Sequence, residues 1–421
     1  MSDRPANAPA YVDLFSGCGG LSLGFRDAGF QSLIAIDNDP HAVDVYNANL
    51  SPPDRPCAIQ ADVAGLNTHD LVRDFLEARG IQLSKCDVLI GGPPCQSYSL
   101  VGRTKIRALM QSDGDLKKYW EEKDRVRTKF FEVYALFLEV LAPRWFLFEN
   151  VPAIRSHEIY TSLKERFSKL QSPSGSTLQY KVFPEVYLAS QYGVPQDRRR
   201  FIMVGYRADL DNINWKGPQV SPGVHVEAAL SDLPKVSHGH REKRLPYRSD
   251  PQNAYQRLMR ARLSDADSGF VTHHICRTHS TDDVALFDRM APGARFADEA
   301  VQQALVEINP EHKLLKYATD KFADKLHRLE PSRRAWTVTA HLQKDCYKFI
   351  HHSQPRTITV REAARLQSFP DRFSFGRLGL GHAYRLIGNA VPPLLSYAFA
   401  ESFISADPHL AERAAFSGAG G

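Results

Sequence analysis

The chain has 421 residues, 43% of them hydrophobic, and its 53 Lys and Arg against 48 Asp and Glu leave a formal charge of +5. That length and apolar content suffice for two domains or one enlarged α/β domain, while so mild a basic excess permits a polyanionic partner without identifying one. No apolar run reaches the roughly eighteen residues of a membrane span, and MSDRPANAPA lacks the apolar stretch of a signal peptide, so the expected location is the cytoplasm.

After a disordered tail over 1–10, short apolar segments alternate with amphipathic ones, the pattern of a parallel sheet covered by helices. Tyr11–Phe15 reads as the first strand and Leu33–Asp37 as the second. Asp39-Pro40 opens a helix, with a capping side chain followed by proline at the first helical position. Thr68–Arg79 and Phe130–Leu141 have helical spacing, and Val88–Gly91, Trp145–Glu149 and Phe201–Gly205 read as strands. Residues 206–335 are rich in charge, Pro and His and weakly periodic. Lys235–Asp265 holds eight Lys and Arg against three Asp and Glu, either a solvated face or a polyanion contact. Helical patterning returns at Thr357–Gln367 and Tyr384–Ala400, and 406–421 reads as a second tail.

Several segments carry chemistry. Phe15-Ser16-Gly17-Cys18-Gly19-Gly20-Leu21 runs from a strand through glycines into a helix, where the backbone can approach a ligand. A dinucleotide fingerprint starting at Gly17 would need glycine where the chain has Ser22, which counts against a nicotinamide or flavin enzyme. Asp37 ends the second strand at the position that meets ribose hydroxyls, and Asp62 follows a third apolar segment where an adenine amino group could be bound. Gly91-Gly92-Pro93-Pro94-Cys95-Gln96-Ser97 puts a thiol on a proline-stiffened loop at the ligand edge of the sheet. The other five cysteines form no C-x-x-C pair and read as reduced, mostly buried thiols. Glu149, after four apolar residues in Phe148-Glu149-Asn150-Val151-Pro152, should be desolvated and so able to donate a proton. In Gln196-Asp197-Arg198-Arg199-Arg200 an extended backbone would place Gln196, Arg198 and Arg200 on one face. His273, Cys276 and His279 lack an evident fourth ligand, so no metal is expected.

In chain order, FSGCGG, the acid after strand two, PPCQS, ENV, QDRRR, the Arg361–Pro370 segment REAARLQSFP, and GNAVPP resemble the motifs of DNA cytosine-5 methyltransferases of the bacterial type. The resemblance covers residues 11–205 and 335–400. It implies a Rossmann-like S-adenosylmethionine-dependent methyltransferase fold with a smaller, irregular target-recognition domain. Residues 11–205 would form the catalytic and cofactor-binding domain, 206–335 the target-recognition domain, and 336–405 a return to the catalytic domain. Cys95 would attack C6 of cytosine, Glu149 would protonate N3, and Arg198 and Arg200 would lie near the base. Phe15, Ser16, Gly17, Leu21, Asp37, Asn38, Asp62, Val63, Pro93, Phe130, Asn389 and Ala390 would line the S-adenosylmethionine pocket. Asp37 stands where the family more usually has glutamate, which shortens the reach. Gln96, Ser97, Asn150, Gln196, Arg257 and Arg260 would contact double-stranded DNA, whose target base must leave the stack. Ser97–Lys129, with nine Lys and Arg against five Asp and Glu, would close over the DNA.

The expected protein is a monomer acting in restriction-modification or related phage defence. An RNA methyltransferase of the tRNA-acting branch shares these motifs, and the long variable middle favours DNA. A catalytically silent DNA-binding regulator is disfavoured by the intact Cys95 and Glu149.

Overall fold

The computed structural model describes residues 7–94, 129–156, 159–310 and 326–418. By contact, the chain forms two units. The first comprises Met1–Leu188, Arg199–Gln219 and Ser396–Gly421, and the second Ala189–Arg198 and Val220–Leu395. Most of 336–405 therefore clusters with 220–335.

The first unit is built on an eight-stranded sheet. Its strands are β1 (Ala10–Leu14), β2 (Gln31–Asp37), β3 (Ala58–Gln60), β4 (Val88–Gly91), β5 (Trp145–Asn150), β6 (Lys169–Gln171) and β7 (Thr177–Leu188). The two-residue β8 (Gln196–Asp197) belongs to the second unit, and β9 (Arg199–Arg207) completes the sheet in the order β3-β2-β1-β4-β5-β9-β7-β6. From β3 to β5 the neighbours are parallel. Val88–Gly91 is buried throughout, as a strand covered on both faces must be. The all-parallel sheet read from the sequence needs correcting beyond β5. There β9, β7 and β6 pair antiparallel, because β6 and β7 form a hairpin and β9 folds back between β7 and β5.

The helices follow local chemistry. α1 spans Gly20–Asp27, and α2 (Pro40–Leu50) starts at Asp39, whose side chain accepts from His41 N. α3 (His69–Glu77) is capped by Thr68, and α4 covers Ile159–Ser168. In the helix over 129–141, Tyr134 donates to the carbonyls of Leu89 (3.1 Å) and Leu147 (3.0 Å), joining β4 to β5. Around it Phe131, Phe137, Phe146, Phe148 and Phe167 form the core of the unit.

The second unit contains α5 (Val226–Leu230), α6 (Ala254–Arg260), α7 (Thr281–Arg289), α8 (Glu299–Ile308), α9 (Val360–Leu366) and α10 (Leu380–Asn389). Its strands form two small pairs: β10 (Arg244–Pro246) with β11 (Phe270–Thr272), and β8 with β12 (Ala335–Trp336). The helix expected over Tyr384–Ala400 is instead two. α10 stops at Asn389, Ala390 is extended, and α11 (Pro393–Ala406) begins after Pro392, since consecutive prolines cannot donate to a continuing helix. The last helix, α12, is Pro408–Gly418, within the stretch read as a tail.

Segment REAARLQSFP is an internal brace. Thr359 and Glu362 form a capping box at α9. Arg365 is fully buried between Asp232 (2.5 Å) and Asp371 (2.5 Å), while Arg356 holds Glu362 through two bonds of 2.8 and 2.7 Å. Tyr255 donates to the Arg365 carbonyl, so α9 is anchored to residues 229–255 of the same unit.

Candidate active site

The chemistry-bearing segments of the first unit sit at the C-terminal ends of β1, β2, β4 and β5, the edge where open α/β sheets bind ligands. At the end of β1 the backbone turns sharply, with Phe15 at φ 59° and Gly17 at φ 54° in the left-handed region. Nothing lies within 4 Å of the point where a Cβ on Gly17 would stand, so the turn faces open space. Asp37 fastens this turn: its Oδ2 accepts from Gly17 N (2.8 Å) and its Oδ1 from Asp39 N (2.9 Å). Burial raises the Asp37 pKa, and the two backbone N–H groups oppose that shift. Ser16 is buried and its hydroxyl has no hydrogen-bond partner among the described residues.

The other residues expected around a cofactor fall into two groups. Phe15 meets the edge of Phe130 at 5.4 Å. Leu21, Val63 and Pro93 are buried, Asn38 and Asp62 are exposed, and Asp62 caps a short turn by accepting from Ala64 N. Asn389 and Ala390 belong to the second unit, where the Ala390 carbonyl accepts from Arg198 (2.9 Å) and Gln367 (2.6 Å).

At the end of β5, Glu149 is not surrounded by apolar groups alone, as its sequence neighbours imply. Its Oε1 lies 2.9 Å from Nε of Arg200 on β9, with both side chains largely buried. The antiparallel register of β5 and β9 produces this pair, which sequence spacing could not show. Glu149 also abuts the loop after β4: a Cβ on Gly92 would stand 2.7 Å from Glu149 Oε2, so a side chain there would displace the carboxylate. Asn150 donates to the Pro93 carbonyl (3.2 Å) and clamps the same loop from the next position.

Cys95, Gln96 and Ser97, and the segment that follows them to residue 128, lie outside the described residues. The other five cysteines are buried free thiols. Burial pushes Cys18 up to about 12 and Cys346 up to about 11, the opposite of what a thiolate nucleophile requires.

The expectation that Gln196, Arg198 and Arg200 share one extended face is not met. The strand is interrupted after Asp197, and Gln196 and Arg198 belong to the second unit while Arg200 belongs to the first. Arg198 is fully buried, donating to the carbonyls of Val338 (2.6 Å), Gly388 (3.0 Å) and Ala390 (2.9 Å). Gln196, also fully buried, bonds Leu366, Gln367 and Val338. These two side chains tie Gln196–Arg198 to REAARLQSFP and GNAVPP within the second unit.

Of the basic stretch, Arg257 is exposed, but Arg260 is bound to Asp232 (2.5 Å) and lies over the Tyr247 ring. Its guanidinium is thus engaged internally rather than presented to a ligand. Among the described residues no cluster of His, Cys, Asp and Glu could hold a metal ion. His273 contacts Ser374, Cys276 donates to Ser237 O, and His279 contacts Thr357.

One buried network escaped sequence reasoning. Asp13, in the middle of apolar β1, accepts from Ser22 Oγ (2.6 Å), which in turn accepts from Tyr46 (2.8 Å). Asp13 Oδ1 has no partner among the described residues, and burial lifts the carboxyl to about 8. An acid amid apolar strand residues was the available signal.

Comparison with known proteins agrees with this arrangement. Residues 10–405 match the family described as C-5 cytosine-specific DNA methylase. The chain is 31% identical to a putative type II methyltransferase of Oceanobacillus iheyensis, covering 94% of this chain and 95% of that protein. It is 30% identical to the type II methyltransferase M.AgeI of Thalassovita gelatinovora, over 93% of this chain and 98% of the relative. A solved structure described as a putative DNA modification methyltransferase encoded within a prophage (E. coli) shares the fold. Its TM-score is 0.67 at 24% identity, over 95% of this chain and 99% of that one. The sheet, the turns at its ligand edge and the match over nearly the whole chain lead to one assignment: the protein belongs to the C-5 cytosine-specific DNA methylase family and is a DNA cytosine-5 methyltransferase.

Proposed function

We propose that the protein transfers a methyl group from S-adenosylmethionine to C5 of a cytosine flipped out of double-stranded DNA, through a covalent bond between Cys95 and C6. The observation that carries this reading is the junction of Glu149, Arg200 and the Gly92–Pro94 loop, which places a held carboxyl beside the segment leading directly into Cys95.

The residues present fit the donor. The open turn at Gly17, the buried Ser16 hydroxyl, unpartnered among the described residues, and the Phe15–Phe130 edge offer space, one polar group and an aromatic surface. Leu21, Asp37, Asn38, Asp62, Val63 and Pro93 are assigned to donor binding with them, and the resemblance adds Asn389 and Ala390. When bound, S-adenosylmethionine supplies an electrophilic methyl group on a sulfonium.

In this mechanism the Cys95 thiolate adds to C6 while Glu149 gives a proton to N3, making C5 nucleophilic. After C5 takes the methyl group, loss of its proton to a base expels the thiolate, and the N3 proton returns to Glu149. Arg200 orients the Glu149 carboxyl through Oε1. Arg198 acts at a distance, by fixing the segment that leads to Arg200. Residues 11–205 and 336–405 carry catalysis and donor binding, and 206–335 carry target recognition, Arg257 included. The relatives named as type II methyltransferases support a role in restriction-modification. The protein is proposed to act there as a monomer, in the cytoplasm.

The test is transfer of labelled methyl from S-adenosylmethionine to unmethylated duplex DNA and to bulk tRNA, followed by base-resolution mapping. Label at C5 of cytosines in one short DNA motif is the expected result. Label confined to tRNA, or none in either, would overturn the reading.

A further inference from the structure

The second unit contains a cleft of about 1100 Å³ that the sequence gives no hint of. Its lining residues come from four separate stretches: Asp197 at the end of β8, His225, the turn at 291–298, and residues 327–348. The wall nearest the QDRRR segment is the β8–β12 pair, where Thr337 Oγ1 donates to the Asp197 carbonyl (2.9 Å). A ligand in the cleft would therefore lie against the backbone that carries Gln196 and Arg198.

The charges lining it are unevenly matched. Arg334 is paired with Asp197 (2.8 Å). Asp298 accepts from the backbone of Arg295 (2.8 Å), and Glu330 accepts from Ser332 (3.0 Å). Arg333 is exposed and has no side-chain partner among the described residues, although its backbone is fixed. Its N–H donates to Glu330 O (3.2 Å) and its carbonyl accepts from Val226 N (2.9 Å). Among the lining residues, His327 stacks on Trp336 at 3.5 Å and 9°, with Arg295 Nε donating to His327 Nε2, so the cleft carries a flat, fixed pair of rings. A cation on a fixed backbone, in a cleft with a flat pair of rings and beside the QDRRR segment, suits a phosphodiester backbone better than a small apolar ligand.

We propose that this cleft seats the backbone of the substrate duplex and that Arg333 is a phosphate contact of the methyltransferase. The inference rests on the proposed action on duplex DNA. It goes further in placing a DNA contact outside the basic stretch that the sequence singles out.

The experiment compares Arg333→Ala and Arg333→Lys with the unaltered protein, measuring duplex affinity from 50 to 500 mM salt and methylation of several sequences. Circular dichroism and melting confirm that each variant is folded, which the exposure of Arg333 favours. Loss of one phosphate contact should lower the slope of log affinity against log salt by about 0.9, equivalent to roughly eightfold weaker binding at 0.1 M salt. The loss should be the same for every sequence, and lysine should restore most of it. Unchanged affinity and slope in the alanine variant, with the unaltered protein methylating DNA, would overturn the cleft assignment alone. A change in sequence preference without a change in slope would overturn the phosphate contact. Failure of the unaltered protein to bind or methylate any duplex would overturn the proposed function and this inference together.

Discussion

Replacing Asp13 by Asn removes a titrating group from the centre of the first unit while keeping its shape and its bond from Ser22. The carboxyl is fully buried, its only bond among the described residues is the one from Ser22, and burial lifts it to about 8 from an ordinary 3.8, with the charge of Asp37 adding to the shift. Tyr11, Tyr46 and Tyr134 are the other titratable side chains that feel its charge, and burial keeps all three phenols protonated well beyond neutrality. Because the folded value lies above the unfolded one, the native protein holds a proton that the unfolded chain has lost. Stability from this group is complete below about pH 4, falls as pH rises, and levels off above about pH 8. The slope between those limits is about 1.4 kcal/mol per pH unit, so from pH 6 to 8 the unaltered protein loses on the order of 2 kcal/mol through Asp13. Asn mimics the protonated form and removes that slope. The assay is thermal or urea unfolding of both proteins at pH 6, 7 and 8 without added ligand. The Asn variant should gain on the unaltered protein by roughly 5 °C between pH 6 and 8. Parallel curves across that range would refute the claim that Asp13 is neutral in the folded protein.

Other outcomes follow from the same geometry. Cys95→Ala should abolish methyl transfer and leave duplex binding within about a factor of three, read by gel shift and by label incorporation; appreciable turnover would remove Cys95 from the mechanism. Glu149→Gln should slow transfer by about two to four orders of magnitude at saturating donor, whereas an unchanged rate would exclude a proton-donor role. Arg365→Met strands Asp232 and Asp371 without their shared cation, and should destabilise the second unit by about 3–5 kcal/mol in denaturant titration. Melting equal to that of the unaltered protein would show that this buried cluster is not a brace.

Much of the catalytic unit was legible in the sequence because its information is local. Apolar runs marked β1, β2, β4, β5 and β9 within a residue or two, Asp39-Pro40 marked a helix start through capping chemistry, and apolar spacing marked the helix after Thr68. The Gly92–Pro94 loop and Glu149 could be flagged because the loop follows directly on a buried strand and Glu149 stands near the end of another. The arginines of QDRRR and the basic stretch were harder, since a guanidinium reads alike whether it meets solvent, a base or a backbone carbonyl.

The sequence by itself determined the family, the strand-turn-helix at Gly17 and the order of the motifs, all of which are written in neighbouring residues. Only the tertiary structure decided that Arg198 grips three carbonyls while Arg200 faces Glu149. It alone also reversed the sheet beyond β5, paired Arg260 with Asp232, and left Arg333 facing a cleft. The reason is physical: a long charged side chain takes whichever partner the fold brings within about 3 Å, and those partners lie scores of residues away along the chain.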